Sequence, residues 1–147
     1  MKRLLTLLLA ACLLPVLSIS EEEPVMAPKI DIEVNGQVRT ATLNDNISAQ
    51  ALLERLQNGP LVVEMHDYGS FEKVGPIDEP LPESNEQITT TPGDVILYLG
   101  NNITIYYAVN TWNFTLLGHI DDATGENMRE FLGDGNPTVT FSLHVEE

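Results

Sequence analysis

The stretch T-P-G-D-V-I-L-Y-L-G-N-N-I-T-I-Y-Y, Thr91–Tyr107, decides how this chain is read. Two apolar runs, Val95–Leu99 and Ile103–Tyr107, are separated only by Gly100-Asn101-Asn102. β-Branched and aromatic runs joined by a short Gly/Asn link predict a β-hairpin, because Gly and Asn accept the positive φ that tight connections need. Pro92-Gly93-Asp94 supplies the turn that leads into it. On the second run Ile103, Ile105 and Tyr107 share one face, so Tyr106 points the other way. One face is assigned to a core, and the other is left to line a groove.

The pattern continues on both sides. Ile30, Ile32 and Val34 alternate with Asp31 and Glu33, the period of a half-buried strand. Asn35-Gly36 is the preferred type I′ pair, and Gln37–Leu43 returns as the second strand. Asn44-Asp45-Asn46 offers N-cap oxygens to a helix over Ser48–Gln57, with Ala49, Leu52, Leu53 and Leu56 on one face. Asn58-Gly59-Pro60 ends it. Leu61–Met65 is a short strand. His66–Pro82 is expected to be an irregular loop with one short strand near Phe71–Val74, and Gln87–Thr90 an edge strand. Beyond the hairpin, Trp112–Gly118 is a strand. Ala123–Leu132 is a short helix capped by Asp121 or Asp122, with Met128, Phe131 and Leu132 inward. Thr138–Val145 is the last strand, with Val139, Phe141, Leu143 and Val145 on one face. Two short helices among seven or eight short strands predict a mainly β protein built as a small barrel.

The first twenty residues are set apart. Lys2 and Arg3 precede the apolar run Leu4–Leu14, Pro15 interrupts it, and Ser18-Ile19-Ser20 puts small residues before Glu21. That is the layout of a secretory signal peptide, and the apolar run is too short for a comfortable membrane span. Leu9-Ala10-Ala11-Cys12 also resembles a lipobox, so a lipoprotein anchored through Cys12 is the alternative to free secretion. Either way residues 29–147 are expected to fold outside the cytoplasm, after a flexible tether over residues 21–28 that Glu21-Glu22-Glu23-Pro24 and Pro28 keep from packing. Cleavage would remove the single cysteine, excluding disulfides, thiol chemistry and Cys-ligated metals. Seven Lys and Arg against 22 Asp and Glu give a net charge of −15. Such a surface repels nucleic acid phosphates and anionic membranes, so neither nucleic acid binding nor membrane insertion of the mature domain is expected. The charge chiefly keeps the protein soluble.

The wording of these elements resembles a known family. A V-N-G hairpin opens the domain, T-P-G-D-V-I-L-Y precedes a Gly-Asn turn and an I-x-I-Y-Y strand, L-G-H-I-D-D follows a Trp-containing segment, and G-D-G-x-x-T-V-T-F closes it. In order and spacing, over Lys29–Val145, these resemble the small bacterial cyclophilin-like domain family. The resemblance implies a closed β-barrel of about eight strands with a short helix capping each end. In true cyclophilins a peptidyl-prolyl isomerase site is built around an Arg, a Gln and aromatic residues. Here Phe71-Glu72-Lys73 is the nearest match to the Phe-His-Arg segment, with Lys73 where Arg is wanted, and Gly75-Pro76-Ile77 replaces the Phe-Met-x-Gln run. Lys lacks the rigid fork of Arg, so the departure speaks against isomerase activity. Fold alone does not carry function.

Other chemistry finds little support. His66, His119 and His144 stand at no metal-like spacing, and no metal or cofactor is expected. His66-Asp67 near Ser70 lacks a G-x-S-x-G element. Asp121, Asp122, Glu126 and Glu130 do not have EF-hand spacing; they suit the start of a helix, with weak Ca²⁺ binding as the other reading. The aromatic residues are the better lead. Trp112, flanked by Asn110, Thr111 and Asn113, sits in a polar setting that suits ligand contact, although packing under a loop serves equally. The expected site is therefore Tyr68, Phe71, Lys73, Tyr106 and Trp112, with no catalytic set identified. The expected function is a non-catalytic module binding a small molecule or an extended peptide; the alternative is a divergent prolyl isomerase acting on secreted proteins.

Overall fold

The computed structural model describes residues 12–147. The first part of the expected signal peptide, residues 1–11, lies outside the described residues. Residues 12–28 form no helix or strand, and Cys12 is exposed. Among the described residues no helix is long and apolar enough to cross a membrane.

The N-terminal hairpin pairs β1 (Lys29–Val34) with β2 (Gln37–Leu43). Asn35 and Gly36 take φ of 51° and 79°, as a type I′ turn requires. Helix α1 (Ile47–Gln57) starts where Asn46 Oδ1 accepts the Ala49 amide at 2.8 Å. Next come β3 (Leu61–Glu64), β4 (His66–Tyr68) and β5 (Glu72–Pro76), then the edge strand β6 (Glu86–Thr89). The segment expected as a loop with one strand thus holds two. The predicted hairpin is β7 (Asp94–Tyr98) and β8 (Asn102–Tyr106), with Val95 opposite Ile105 and Leu97 opposite Ile103. It turns one residue earlier than expected, with positive φ at Leu99 and Gly100. β9 (Thr111–Ile120) precedes α2 (Gly125–Leu132). Thr124 caps α2 in a reciprocal capping box with Asn127. Asp121, one of the two expected caps, is held instead by Lys29 and Thr42. β10 (Thr138–Leu143) is last. It ends earlier than expected: the register with β1 stops at Ile30 opposite Leu143, one further amide, that of His144, donates to the Lys29 carbonyl at 3.4 Å, and Val145 is exposed.

The strands form one antiparallel ten-stranded sheet in the order β3-β10-β1-β2-β9-β7-β8-β5-β4, with β6 on the far part of β9. The expected closed barrel of about eight strands is not what forms. No hydrogen-bonded ladder joins the two ends of the order, β3 and β4. Those ends are consecutive in the chain, with Met65 alone between them. The chain therefore crosses from one end of the sheet to the other covalently, pairing first with β10 and then with β5. β3 and β5 come so close that a Cβ on Gly75 would lie 2.3 Å from the Glu64 carbonyl oxygen. Glycine is the residue that permits this approach. Both helices contribute to the main core: Ala49, Leu52 and Leu56 from α1, and Met128, Phe131 and Leu132 from α2, pack with Ile30, Ile32 and Phe141.

Candidate functional site: an aromatic groove with a buried carboxylate

Side chains alternate across a strand, so the face turned from the main core is fixed by parity. On β7, Val95 and Leu97 enter the main core. Ile96 and Tyr98 face the other way, as does Tyr106 on β8. There Ile96, Tyr106 and Phe114 form a second, smaller cluster with Phe71, Ile88, Tyr98 and Leu116 packed against it.

The register assembles the site across three strands. Tyr68 on β4 is opposite Glu72 on β5, and Glu72 is opposite Tyr106 on β8. Directly opposed side chains are near neighbours, so Glu72 stands between two tyrosines. Phe71 adds a further ring. It stacks on Tyr106 at 5.9 Å with the planes 6° apart, and meets Tyr68 edge-on at 6.0 Å. The turn before it makes this possible: Gly69 has φ 62°, and a Cβ there would sit 2.2 Å from the Phe71 ring. Tyr106 meets Phe114 at 5.7 Å, and Phe114 meets Tyr98 edge-on at 6.1 Å. The Phe71–Tyr106 pair is stacked, the Tyr68–Phe71 and Tyr98–Phe114 pairs are edge-to-face, and the Tyr106–Phe114 pair is tilted between the two. Over them lies an open groove of about 490 Å³, with Trp112 and His66 also on its walls.

Of the expected site residues, Tyr68, Phe71, Tyr106 and Trp112 line this one groove. Tyr106 forms the floor, at 1% exposure, whereas Trp112 stands at the rim with 59% of its surface exposed. Asn110 Nδ2 donates to the Tyr106 hydroxyl at 3.3 Å. Burial, reinforced by the neighbouring Glu72, pushes the Tyr106 phenol well above the ordinary tyrosine range.

Lys73 is not in the groove. Strand alternation gives that face to Glu72 and turns Lys73 to the opposite one, where it is 3% exposed. Its ammonium donates to the Gly135 carbonyl at 2.8 Å and lies 3.3 Å from Asp67. The Tyr107 hydroxyl donates to the same Asp67 oxygen at 2.5 Å. The Tyr107 bond, helped by Lys73, holds the Asp67 carboxyl below its usual range despite some burial. Burial and Asp67 push the Tyr107 phenol up to about 12. A second cavity, of about 470 Å³, opens here against Arg129 and the loop at Gly133. Lys73 thus anchors that loop to β5.

Glu72 is the residue that sequence reasoning missed. It is 7% exposed, yet it lines the groove. Among the described residues no Lys, Arg or His stands within 4.0 Å of its carboxylate, and the polar side chain beside it is the Tyr106 hydroxyl. Burial pushes its carboxyl above the ordinary range, with the Tyr106 hydroxyl and His66 opposing. The signal was present in Phe71-Glu72-Lys73 as the two-residue period, but only the register with Tyr106 shows which side chain faces the rings. Thr104, two residues before Tyr106 on the same face, carries a buried hydroxyl without a partner.

The histidines have separate roles. His119 Nδ1 meets Asp94 at 2.7 Å, and His144 Nδ1 meets Asp31 at 2.8 Å. Among the described residues no three His, Cys, Asp or Glu side chains are grouped to hold a metal.

The family model described as the cyclophilin-like family matches residues 32–142, well over half of the sequence. The chain belongs to the cyclophilin-like family. Among solved structures, this cyclophilin-like chain is similar to that of McbB in complex with tryptophan. The two share 18% identity at a TM-score of 0.61, and the match covers 80% of this chain. It spans 45% of the McbB chain, less than half of its length. At that identity the likeness is one of fold. No curated protein matches the sequence. In the cyclophilin-like domain described here, the matched region contains every strand of the groove.

Proposed function

We propose that this domain is an extracytoplasmic binding module that takes a small organic molecule in the groove over Tyr106, between Tyr68 and Trp112. The observation that carries this reading is the convergence of six aromatic rings from four strands and a turn around an open space of about 490 Å³. Such a volume is within the range of small-ligand pockets, which are largely apolar with a few placed polar groups. An exposed Trp at the rim adds contact surface that the core does not use. McbB, which shares the fold, has been observed with tryptophan; for this chain that precedent supports a small molecule ahead of an extended peptide. Signal-peptide-like residues before the domain support export. Isomerase chemistry draws no support from the groove, because Lys73, the nearest counterpart of the cyclophilin Arg, lies on the other face of β5.

The test is a library of small metabolites and short peptides, scored by thermal melting and by the fluorescence of Trp112, with a coupled cis/trans prolyl assay run beside it. A compound that raises the melting temperature and changes the Trp112 emission is expected. Silence in both readouts across the library, or a prolyl isomerisation rate above background, overturns the reading.

A further inference from the structure

We infer that the groove selects a small organic cation, an ammonium group on an aromatic or alkyl body, and that Glu72 is its counter-ion. The inference rests on the proposed groove and adds to it the charge class of the ligand. A carboxylate buried to more than nine-tenths with no cationic partner is costly, and proteins almost always pair such a group. Glu72 lacks that partner among the described residues, although Lys73 is its direct neighbour in sequence and finds Asp67 instead. Its two cross-strand neighbours are aromatic, Tyr68 and Tyr106.

The surroundings fit a cation in three further respects. Tyr, Trp and Phe attract cations through their π-faces, most strongly where water is displaced. The groove offers such rings beside the carboxylate. The chain as a whole carries a charge of −15, which concentrates cations near its surface and repels anions. A bare metal ion is a poor match, because one carboxylate among rings supplies too few oxygen ligands. An anionic ligand would place like charges together in a poorly solvated space. An alkyl- or arylammonium satisfies Glu72 by a charge-assisted hydrogen bond while its body lies on Phe71 and Tyr106. His66, on the same wall, remains more than 4.0 Å from any acidic oxygen and leaves Glu72 available.

Calorimetric titration of the full chain at neutral pH with three probes of similar shape tests the inference: phenethylamine, phenethyl alcohol and 3-phenylpropionate. Phenethylamine is expected to bind at least about tenfold more tightly than the alcohol, with the carboxylate weakest. In Glu72→Gln, checked for folding by its melting curve, the preference for the amine over the alcohol should fall by about tenfold or more. Equal affinity of the wild-type chain for amine and alcohol overturns the charge class while leaving the groove reading intact. An amine preference unchanged in Glu72→Gln removes Glu72 as the counter-ion. If none of the three probes binds but uncharged library compounds do, the cation inference fails alone. If nothing binds in either experiment, the groove reading fails with it.

Discussion

At the residue scale, Glu72 and Lys73 show how much one step along a strand decides. Both are buried, and they are adjacent, yet one faces the aromatic groove and the other the cavity behind it. Lys73 is matched by Asp67 and the Gly135 carbonyl. Glu72 has no such match, and burial raises its folded-state pKa above the ordinary glutamate value. A raised carboxyl favours the folded state while protonated, and that contribution is lost as pH rises through the folded pKa. Glu72→Gln should therefore melt higher than the wild type at neutral pH, with the difference closing as pH falls below the ordinary glutamate value of about 4.3, where the carboxyl becomes protonated in both states. Melting curves across that range check it; a variant that melts lower at neutral pH contradicts the absence of a partner. From the sequence, Tyr106 and Trp112 could be singled out by alternation and by polar neighbours. Glu72 could not, because Tyr106, the neighbour that shows which face it takes, lies on a strand far along the chain. Lys73 was assigned to the site through a family segment, and strand parity places it elsewhere.

At the scale of elements, hairpins and helices were legible because their signals are local. Asn35-Gly36 dictates its turn, and the apolar periods of α1 and α2 dictate their buried faces. The β7–β8 turn was misplaced by one residue, because Leu99, a poor candidate for positive φ, occupies that conformation at 54° while largely exposed. A branched apolar residue there costs about 1 kcal/mol. Leu99→Asn, which gives the turn the preferred Asn-Gly pair, should stabilise the protein by about 0.5–1 kcal/mol in urea unfolding. No gain would show that the turn is not strained. Strand β4 is missed and β5 is read two residues short of its end, because the Gly and Pro residues around them read as loop. Gly75 instead marks the place where β3 passes β5. Gly75→Ala should cost about 1–3 kcal/mol, since the displaced neighbour is backbone and cannot turn aside. An unchanged unfolding midpoint would mean that β3 and β5 are not in that contact.

At the scale of the molecule, the number of strands and the way the sheet ends could not be read locally. The wording of Thr91–Asp122 carried the family, and the family suggested closure. Closure depends on which backbone groups pair, and here β3 and β4 finish the sheet without a ladder between them while Met65 links them through the chain. The long β9 completes the design: one part pairs with β2 and β7, and the part near Trp112 pairs with β6, placing the Trp opposite Ile88 at the groove's edge. The charge of −15 acts at this scale too. Self-repulsion at low ionic strength weakens the compact state, so the melting temperature at neutral pH should rise between about 10 mM and 150 mM salt, where the Debye length falls from about 30 to 8 Å. A flat or falling response would indicate that local ion pairs such as Lys29–Asp121 outweigh the net repulsion. The chain contains one tryptophan, so its indole N–H gives a single, assignable signal. The most direct test of the groove is to follow that Trp112 signal in a ¹H–¹⁵N spectrum while titrating phenethylamine and the compounds that raise the melting temperature. It should move saturably, together with the amides around Phe71 and Tyr106. An unmoved Trp112, or shifts confined to the Lys73–Gly135 side of β5, would contradict the account.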